Sequence, residues 1–416
     1  GHLAPMKSLL RLLGFAMLPL LAGLLAGCAT GSGDGAPPPL ILVSMDGFRW
    51  DYCDKYPAET PNLRQLRQEG CSARELIPVF PSNTFPNHYA IVTGLYPAHH
   101  GIINNEMFDP RTQVYFRYNR PASVHESVWW AGEPIWVTAI KQGHPSASHF
   151  WVGSEAEIGG YRPTYWKPYD SKMPFDQRLE EIIGWLRQPP EKRPVIVTFY
   201  MEETNSAGHR FGPDSPEIAN AVKLLDSRLG AIRARLKAEQ MPANFVVVSD
   251  HGMTPISLSR VIILDDYLDP STVQADFFGP VCGLRPLEGT PESIVTALSA
   301  VPHVKAYLAK DLPARYHMSG NPRIPPVWVV PEEGWEVGPR KYYESVHGKF
   351  NHGDHGFDPK YQSMHGILMA AGPSFRSGVV IDPVENVNIY NLLCAALHLK
   401  PAANDGDDRL VKAFLK

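Results

Sequence analysis

Residues 245–253 read FVVVSDHGM: a short β-branched run, then an acid and an imidazole side by side, then glycine. A continuous apolar run of this length suits a strand buried on both faces, as in a parallel sheet. Leu40–Met45, Val195–Tyr200 and Ile367–Ala371 share that character with Phe245–Ser249. Between the second and third of these four runs, Ile218, Val222, Leu225, Leu229, Ile232 and Leu236 recur at steps of 4 and 3, one face of a long helix. Leu63–Gly70 makes a shorter helix after the first run. This alternation predicts an α/β fold, a mostly parallel sheet flanked by helices.

The polar residues at the strand ends carry the chemistry. Asp46 closes the first, Asp250 and His251 close the third, Asn205 and His209 lie just past the second, and His365 immediately precedes the fourth. Ligands of open α/β sheets bind beyond the carboxyl ends of the strands. Three of the four groups therefore converge on one rim. The fourth joins them if its strand runs antiparallel or its entry loop reaches across. Carboxylates mixed with imidazoles suit zinc or another divalent metal.

The chain has 416 residues, 39 Lys+Arg against 43 Asp+Glu, and a net charge of −4, with no basic excess to bind long nucleic acids. Its 40 prolines, about twice the usual ~5%, point to long stiff loops around the core. Gly1–Pro5 read as a cloning remnant ahead of Met6. Lys7, Arg11 and the uncharged Leu12–Cys28 then suit a secretory signal over 6–28. It ends in Leu25-Ala26-Gly27-Cys28, which resembles a lipobox with Cys28 as the acylated residue, and Ala29 resembles an outer-membrane sorting signal. Residues 29–39 form a Gly/Ser/Pro tether, leaving 40–416 as one domain. The expected location is the periplasmic side of the outer membrane, as a lipoprotein, or the periplasm. Cys53, Cys71, Cys282 and Cys394 permit up to two disulfides in three pairings, with Cys53 and Cys71 the nearest in sequence.

Residues 81–101 read PSNTFPNHYAIVTGLYPAHHG. Ser82 and Thr84 are hydroxyls in a proline-bounded turn that enters an apolar, helical stretch. Such a hydroxyl is either an N-cap or, beside backbone N–H groups and a metal, a nucleophile facing an oxyanion.

Together, VSMDGFRWDY, FPSNTFPNHYAIVTGLYPAHHGI, GEPIWVTA, GHRFGPDS, VVVSDHGM and MHGILMAAGP resemble the nucleotide pyrophosphatase/phosphodiesterase family of the alkaline phosphatase superfamily, in its bacterial form. The resemblance implies an alkaline-phosphatase-like α/β domain with two zinc ions and Thr84 as covalent nucleophile. Asp46, Asp250, His251 and Thr84 would hold one zinc, and His209, His365 and position 205 the other. The family has Asp where this chain has Asn205. That departure reads as a deliberate trap, a natural variant with weaker zinc, or a mark of degeneracy. Asn105 would donate to a phosphate oxygen, and Phe85, Tyr169 and Tyr200 would line a slot for the nucleotide. The implied reaction is hydrolysis of nucleotide phosphodiester or pyrophosphate bonds through a nucleotidyl-threonine, releasing nucleoside 5′-monophosphates.

Two alternatives stand beside it: a monoesterase or phosphonate hydrolase of the same superfamily, and, because of Asn205, an inactive nucleotide- or zinc-binding lipoprotein. A sulfatase is disfavoured by the lack of a CxPxR or SxPxR motif. Residues 253–360 read as a small inserted α/β cap, with a Ser293–Ala300 helix and strands at His303–Leu308 and Pro326–Val330. His347, His352 and His355 read as ordinary loop histidines, and the resemblance assigns them no ligand role.

Overall fold

The apolar runs form the middle of a nine-stranded mixed sheet. Its strands are β1 (Leu40–Met45), β2 (Cys71–Ile77), β3 (Ser146–His149), β4 (Tyr165–Lys167), β5 (Ile196–Met201), β6 (Asn244–Val248), β7 (Gly366–Ala371), β8 (Val379–Ile381) and β9 (Val384–Glu385). The computed structural model describes residues 35–416, with Pro37–Lys416 a single compact unit. The leader, the Cys28 anchor and most of the tether lie outside the described residues. Among those described, no helix is long and apolar enough to cross a membrane.

Strand order is β8-β2-β7-β6-β1-β5-β3-β4, with β9 also on β2. β1 pairs parallel with both β5 and β6, Leu42 lying opposite Thr198 and Val246. Within the described sheet only β7 runs antiparallel, between β2 and β6. Its start, not its end, therefore lies at the rim where the other strands finish.

The sheet is covered on both faces, so its central strands carry no polar alternation. Leu40 and Leu42 pack into one core, while Ile41, Val43 and Met45 pack into the other. The second core is roofed by α5 (Pro216–Ala238), whose six periodic residues are all buried. Each such burial stabilises by roughly 1.5–3 kcal/mol. Pro216 starts this helix and Ser215 Oγ accepts from the Ile218 N–H at 3.2 Å. The remaining helices that matter here are α1 (Pro61–Glu69), α2 (Thr84–Thr93), α3 (Phe175–Leu186) and α4 (Glu203–Phe211).

The expected Cys53–Cys71 disulfide is not formed. All four described cysteines are buried free thiols. Cys71 lies in the first core and Cys53 in the second, so the sheet separates two residues that are close in sequence.

The inserted segment folds into an antiparallel sheet in the order Val273–Phe277, Cys282–Pro286, Val327–Pro331, Val304–Leu308, with the Pro291–Leu298 helix against it. Its strands alternate: Val327 and Val329 pack under that helix, while Trp328 and Val330 pack into the first main core. Arg323 pins the segment further, its Nη1 donating to the Gly101 and Trp129 carbonyls at 2.9 Å. At the mouth of the insertion, Thr254–Pro255 pairs antiparallel with Gly353–Asp354. A side chain at Gly353 would strike the Gly208 carbonyl oxygen at 2.2 Å, so only glycine lets this ribbon lie against α4.

Candidate active site

The rim collects its groups from four elements. Asp46 leaves β1, Asp250 and His251 leave β6, Asn205 and His209 stand on α4 after β5, and Thr84 opens α2. Gly47 makes the approach of β1 to α4 possible. It has φ +70°, and a Cβ there would lie 2.9 Å from Asn205 Cα.

In the first cluster, His251 Nε2 lies 3.1 Å from Asp46 Oδ1, 3.0 Å from Asp250 Oδ2 and 3.2 Å from Thr84 Oγ1. His251 Nδ1 faces the Gly252 carbonyl at 2.8 Å. A carbonyl only accepts, so Nδ1 keeps its proton, and Nε2 offers a lone pair to the cluster once it gives up its own. Both carboxylate oxygens are buried and neither has a hydrogen-bond partner. Such atoms are costly unless something positive meets them. Their sister oxygens are held in place. Asp250 Oδ1 accepts the Gly47 and His251 N–H groups at 3.0 Å, and Tyr200 OH donates to Asp46 Oδ2.

His88, one turn into α2, braces this cluster from behind. Its Nδ1 donates to the Thr84 carbonyl at 2.9 Å and lies 3.3 Å from Asp250 Oδ2, while Nε2 accepts from Ser44 Oγ at 2.7 Å. Burial and then Asp250 push the Asp46 carboxyl above its ordinary range. Burial opposes charge on His251, but Asp250 and Asp46 outweigh it and raise the ring to about 10. The pocket is thus short of positive charge, the electrostatic signature of a cation site.

The second cluster is built by the same grammar. His209 Nδ1 donates to the Gly353 carbonyl and His355 Nδ1 to the Ser82 carbonyl, each at 2.9 Å. Their Nε2 atoms face each other at 3.1 Å. Burial lowers both rings, and His251 lowers His355 further, so two lone pairs point at one spot. That arrangement is repulsive until a cation lies between them. Asn205 Oδ1, buried and without a partner, borders the same cavity. The His251 and His355 rings stack at 3.4 Å, so the two clusters share a wall. Both clusters fit a divalent metal: Asp46, Asp250 and His251, with Thr84 beside them, in one; His209, His355 and Asp354, which sequence reasoning missed, in the other, where the unpartnered Asn205 Oδ1 lines the same cavity.

His365 requires correction, and so does His355. Antiparallel β7 does bring His365 to the rim, yet its ring is spent elsewhere. Nε2 lies 2.6 Å from the Pro359 carbonyl and Nδ1 3.2 Å from Glu75 Oε1. His355, expected to be a loop residue, occupies the place instead, delivered by the ribbon at the mouth of the insertion. The sequence did carry a signal: Asp-His-Gly occurs at 250–252 and again at 354–356.

Thr84, Phe85, Asn105, Tyr169 and Tyr200 all line one cavity of about 670 Å³, together with Asn205, His209 and His355. Asn105 Oδ1 accepts the Phe85 N–H at 2.8 Å, which leaves its Nδ2 as the end offered to the cavity. Phe85 lies 6.0 Å from Tyr118, a wall residue that sequence reasoning missed. Tyr118 N–H donates to the Asn105 carbonyl at 3.0 Å. Opposite, Tyr169 packs edge-on against Phe150 at 5.4 Å and Tyr200 at 6.1 Å.

The family model "Type I phosphodiesterase / nucleotide pyrophosphatase" matches residues 40–358. The chain belongs to this family. Among curated relatives of the phosphodiesterase family, the venom phosphodiesterase of Macrovipera lebetinus is 38% identical over 410 residues, 94% of this chain and 47% of its own length. Ectonucleotide pyrophosphatase/phosphodiesterase family member 3 of Rattus norvegicus is 38% identical over 91% of this chain and 44% of its own. The chain therefore spans a little under half the length of the curated relatives it matches. Murine ectonucleotide pyrophosphatase/phosphodiesterase 5, solved as an inactive variant in complex with AMP, superposes with a TM-score of 0.85 at 34% identity. That match covers 91% of this chain and all of the other. These phosphodiesterase relatives come from snakes and mammals, so the bacterial form of the resemblance is not borne out.

Proposed function

We propose that the chain hydrolyses nucleotide phosphodiester or pyrophosphate bonds through a nucleotidyl-threonine and releases nucleoside 5′-monophosphates. The observation that carries the reading is the approach of the Asp46–Asp250–His251 cluster to Thr84 Oγ1 in an aromatic cavity that His209, His355 and Asn205 also line. When bound in those sets, two zinc ions would lower the pKa of the threonine hydroxyl and neutralise charge on the phosphoryl oxygens. Thr84 Oγ forms the new bond to phosphorus as the bond to the leaving oxygen breaks, and water later reverses the exchange to free the monophosphate. Asn105 Nδ2 and the Thr84 N–H at the start of α2 donate to a non-bridging oxygen where charge develops. Phe85, Tyr118 and Tyr169 present aromatic faces for the base, with Tyr200 packed behind Tyr169.

The AMP seen in the murine neighbour supports a nucleoside monophosphate as the retained half. A monoesterase is less well supported, because the aromatic walls suit an organic second substituent. Initial rates with an aryl ester of a nucleoside 5′-monophosphate, against the aryl phosphate, test the reading. Faster diester turnover that vanishes in Thr84→Ala supports it, and equal rates or a Thr84-independent rate refute it. Asn205 favours one second reading, nucleotide binding without turnover, which predicts that Asn205→Asp binds but still does not cleave. We extend the proposal to a lipid anchor at Cys28 on the periplasmic side of the outer membrane, checked by mass spectrometry of the mature N-terminus.

A further inference from the structure

We infer that the cavity selects phosphodiesters with uncharged organic substituents and discriminates against nucleoside polyphosphates, an inference that rests on the phosphodiesterase reading. Among the described residues, the cavity wall contains no Lys or Arg, but it does contain Glu155 and Glu202. These two carboxylates bracket Tyr169. Glu155 Oε1 accepts the Tyr169 backbone N–H at 3.2 Å, and Glu202 accepts the phenol O–H. The cations of the adjoining hollow behind Tyr169 are mostly committed. Arg178 lies between the Phe150 and Phe199 rings at 4.6 and 4.2 Å and donates to the Tyr200 carbonyl, and Arg228 pairs with Glu203. At the His209–His355 end, the wall offers the uncharged amide of Asn351.

The two donor sets can compensate the phosphoryl group at Thr84. A diester carries its one charge there and nowhere else. A nucleoside triphosphate brings further phosphates that meet no Lys or Arg of the wall, in a cavity whose Glu155 and Glu202 carboxylates repel them. His125, 3.3 Å from Glu155, is engaged by that carboxylate. An anion moved from water to such a wall loses hydration without gaining a partner. Hydrogen-bond donors on a base or a second nucleoside, by contrast, meet acceptors at both ends of Tyr169.

The test uses the full chain supplied with zinc in magnesium-free buffer. kcat/KM is measured for an aryl ester of a nucleoside 5′-monophosphate and for ATP. Calorimetric Kd values for the same two compounds are taken in the Thr84→Ala background. The expected preference for the diester is about 100-fold in both readouts. In the Glu155→Gln/Glu202→Gln pair and in Asn351→Lys, that preference narrows by roughly five- to tenfold. A preference within threefold of unity, a reversal, or a preference unmoved by all three charge changes overturns the inference. Retained binding preference with no turnover would sink the phosphodiesterase reading and leave the charge selection standing. Failure to bind either compound would overturn both.

Discussion

Asn205→Asp should change stability in opposite directions with and without zinc. Asn205 Oδ1 is buried without a partner, beside the Gly47 turn that carries Asp46. Without metal, a carboxylate there adds to a pocket in which Asp46 is already pushed up by burial and Asp250. At about 5 Å and an effective dielectric of ~20, the added repulsion is about 3 kcal/mol. A folded unit of 380 residues, Pro37–Lys416, unfolds with an entropy of ~0.8 kcal/mol/K. In EDTA, Tm should therefore fall by about 4 °C, and by less if the new acid takes up a proton. With zinc, the same charge becomes a donor. Each hundredfold gain in affinity adds about 2.7 kcal/mol of stability at saturating metal, or about 3 °C. Calorimetric scans of both proteins in EDTA and in zinc, with a zinc titration, give the crossing. Equal Tm losses under both conditions would refute the placement of position 205 at a metal.

The geometry sets four further outcomes. His355→Ala should lower diester kcat/KM by about a thousandfold, while His365→Ala should cost less than about tenfold and act chiefly on Tm; steady-state kinetics of the two decide which histidine serves the site. Thr84→Ala should abolish turnover yet keep AMP binding by calorimetry, and Thr84→Ser should retain part of the rate. His88→Ala should weaken zinc binding by roughly 10–100-fold, since it removes the brace behind Asp250 and Thr84, a shift read in competitive chelator titrations. Burial holds His100 down to about 3, so below pH 6.5 the unfolded chain takes up a proton that the folded one refuses. Stability from this group is complete above pH 6.5 and is lost as pH falls, by about 2 kcal/mol at pH 5. Urea unfolding of parent and His100→Gln at pH 7.5 and 5 should show the smaller loss in the variant.

The central strands and α5 were legible because burial on both sheet faces writes itself as unbroken β-branched runs, and a helix face as steps of three and four. Asp46, Asp250, His251, Asn205 and His209 were placed at one rim because each closely follows a strand. His355 was not, because its position depends on how the ends of a long insertion pair, and that pairing leaves no local pattern. His365 misled for the complementary reason: the strand geometry was read rightly, but the carbonyl and carboxylate that occupy its ring come from elsewhere in the chain. Tyr118 stands in a turn tied to Asn105 by a backbone bond, which no periodicity announces. Cys53 and Cys71 looked like partners by proximity in sequence, and the sheet between them keeps them apart.

The ribbon of Thr254–Pro255 and Gly353–Asp354 also bears on the order of assembly. His251 stands just before the Thr254–Pro255 arm of the ribbon and His355 just after the Gly353–Asp354 arm, so their rings meet only once a loop of roughly 100 residues has closed, at an entropic cost that grows as (3/2)RT ln n. The first donor set can gather as the central strands pair, whereas the second waits for that closure. Refolding with zinc present should therefore show two metal-capture phases, the slower one keeping time with burial of Trp328 against the first main core. A cation on His209 and His355 would then act as a clasp on that closure, beside the Trp328 and Val330 packing and the Arg323 hydrogen bonds that also hold the insertion.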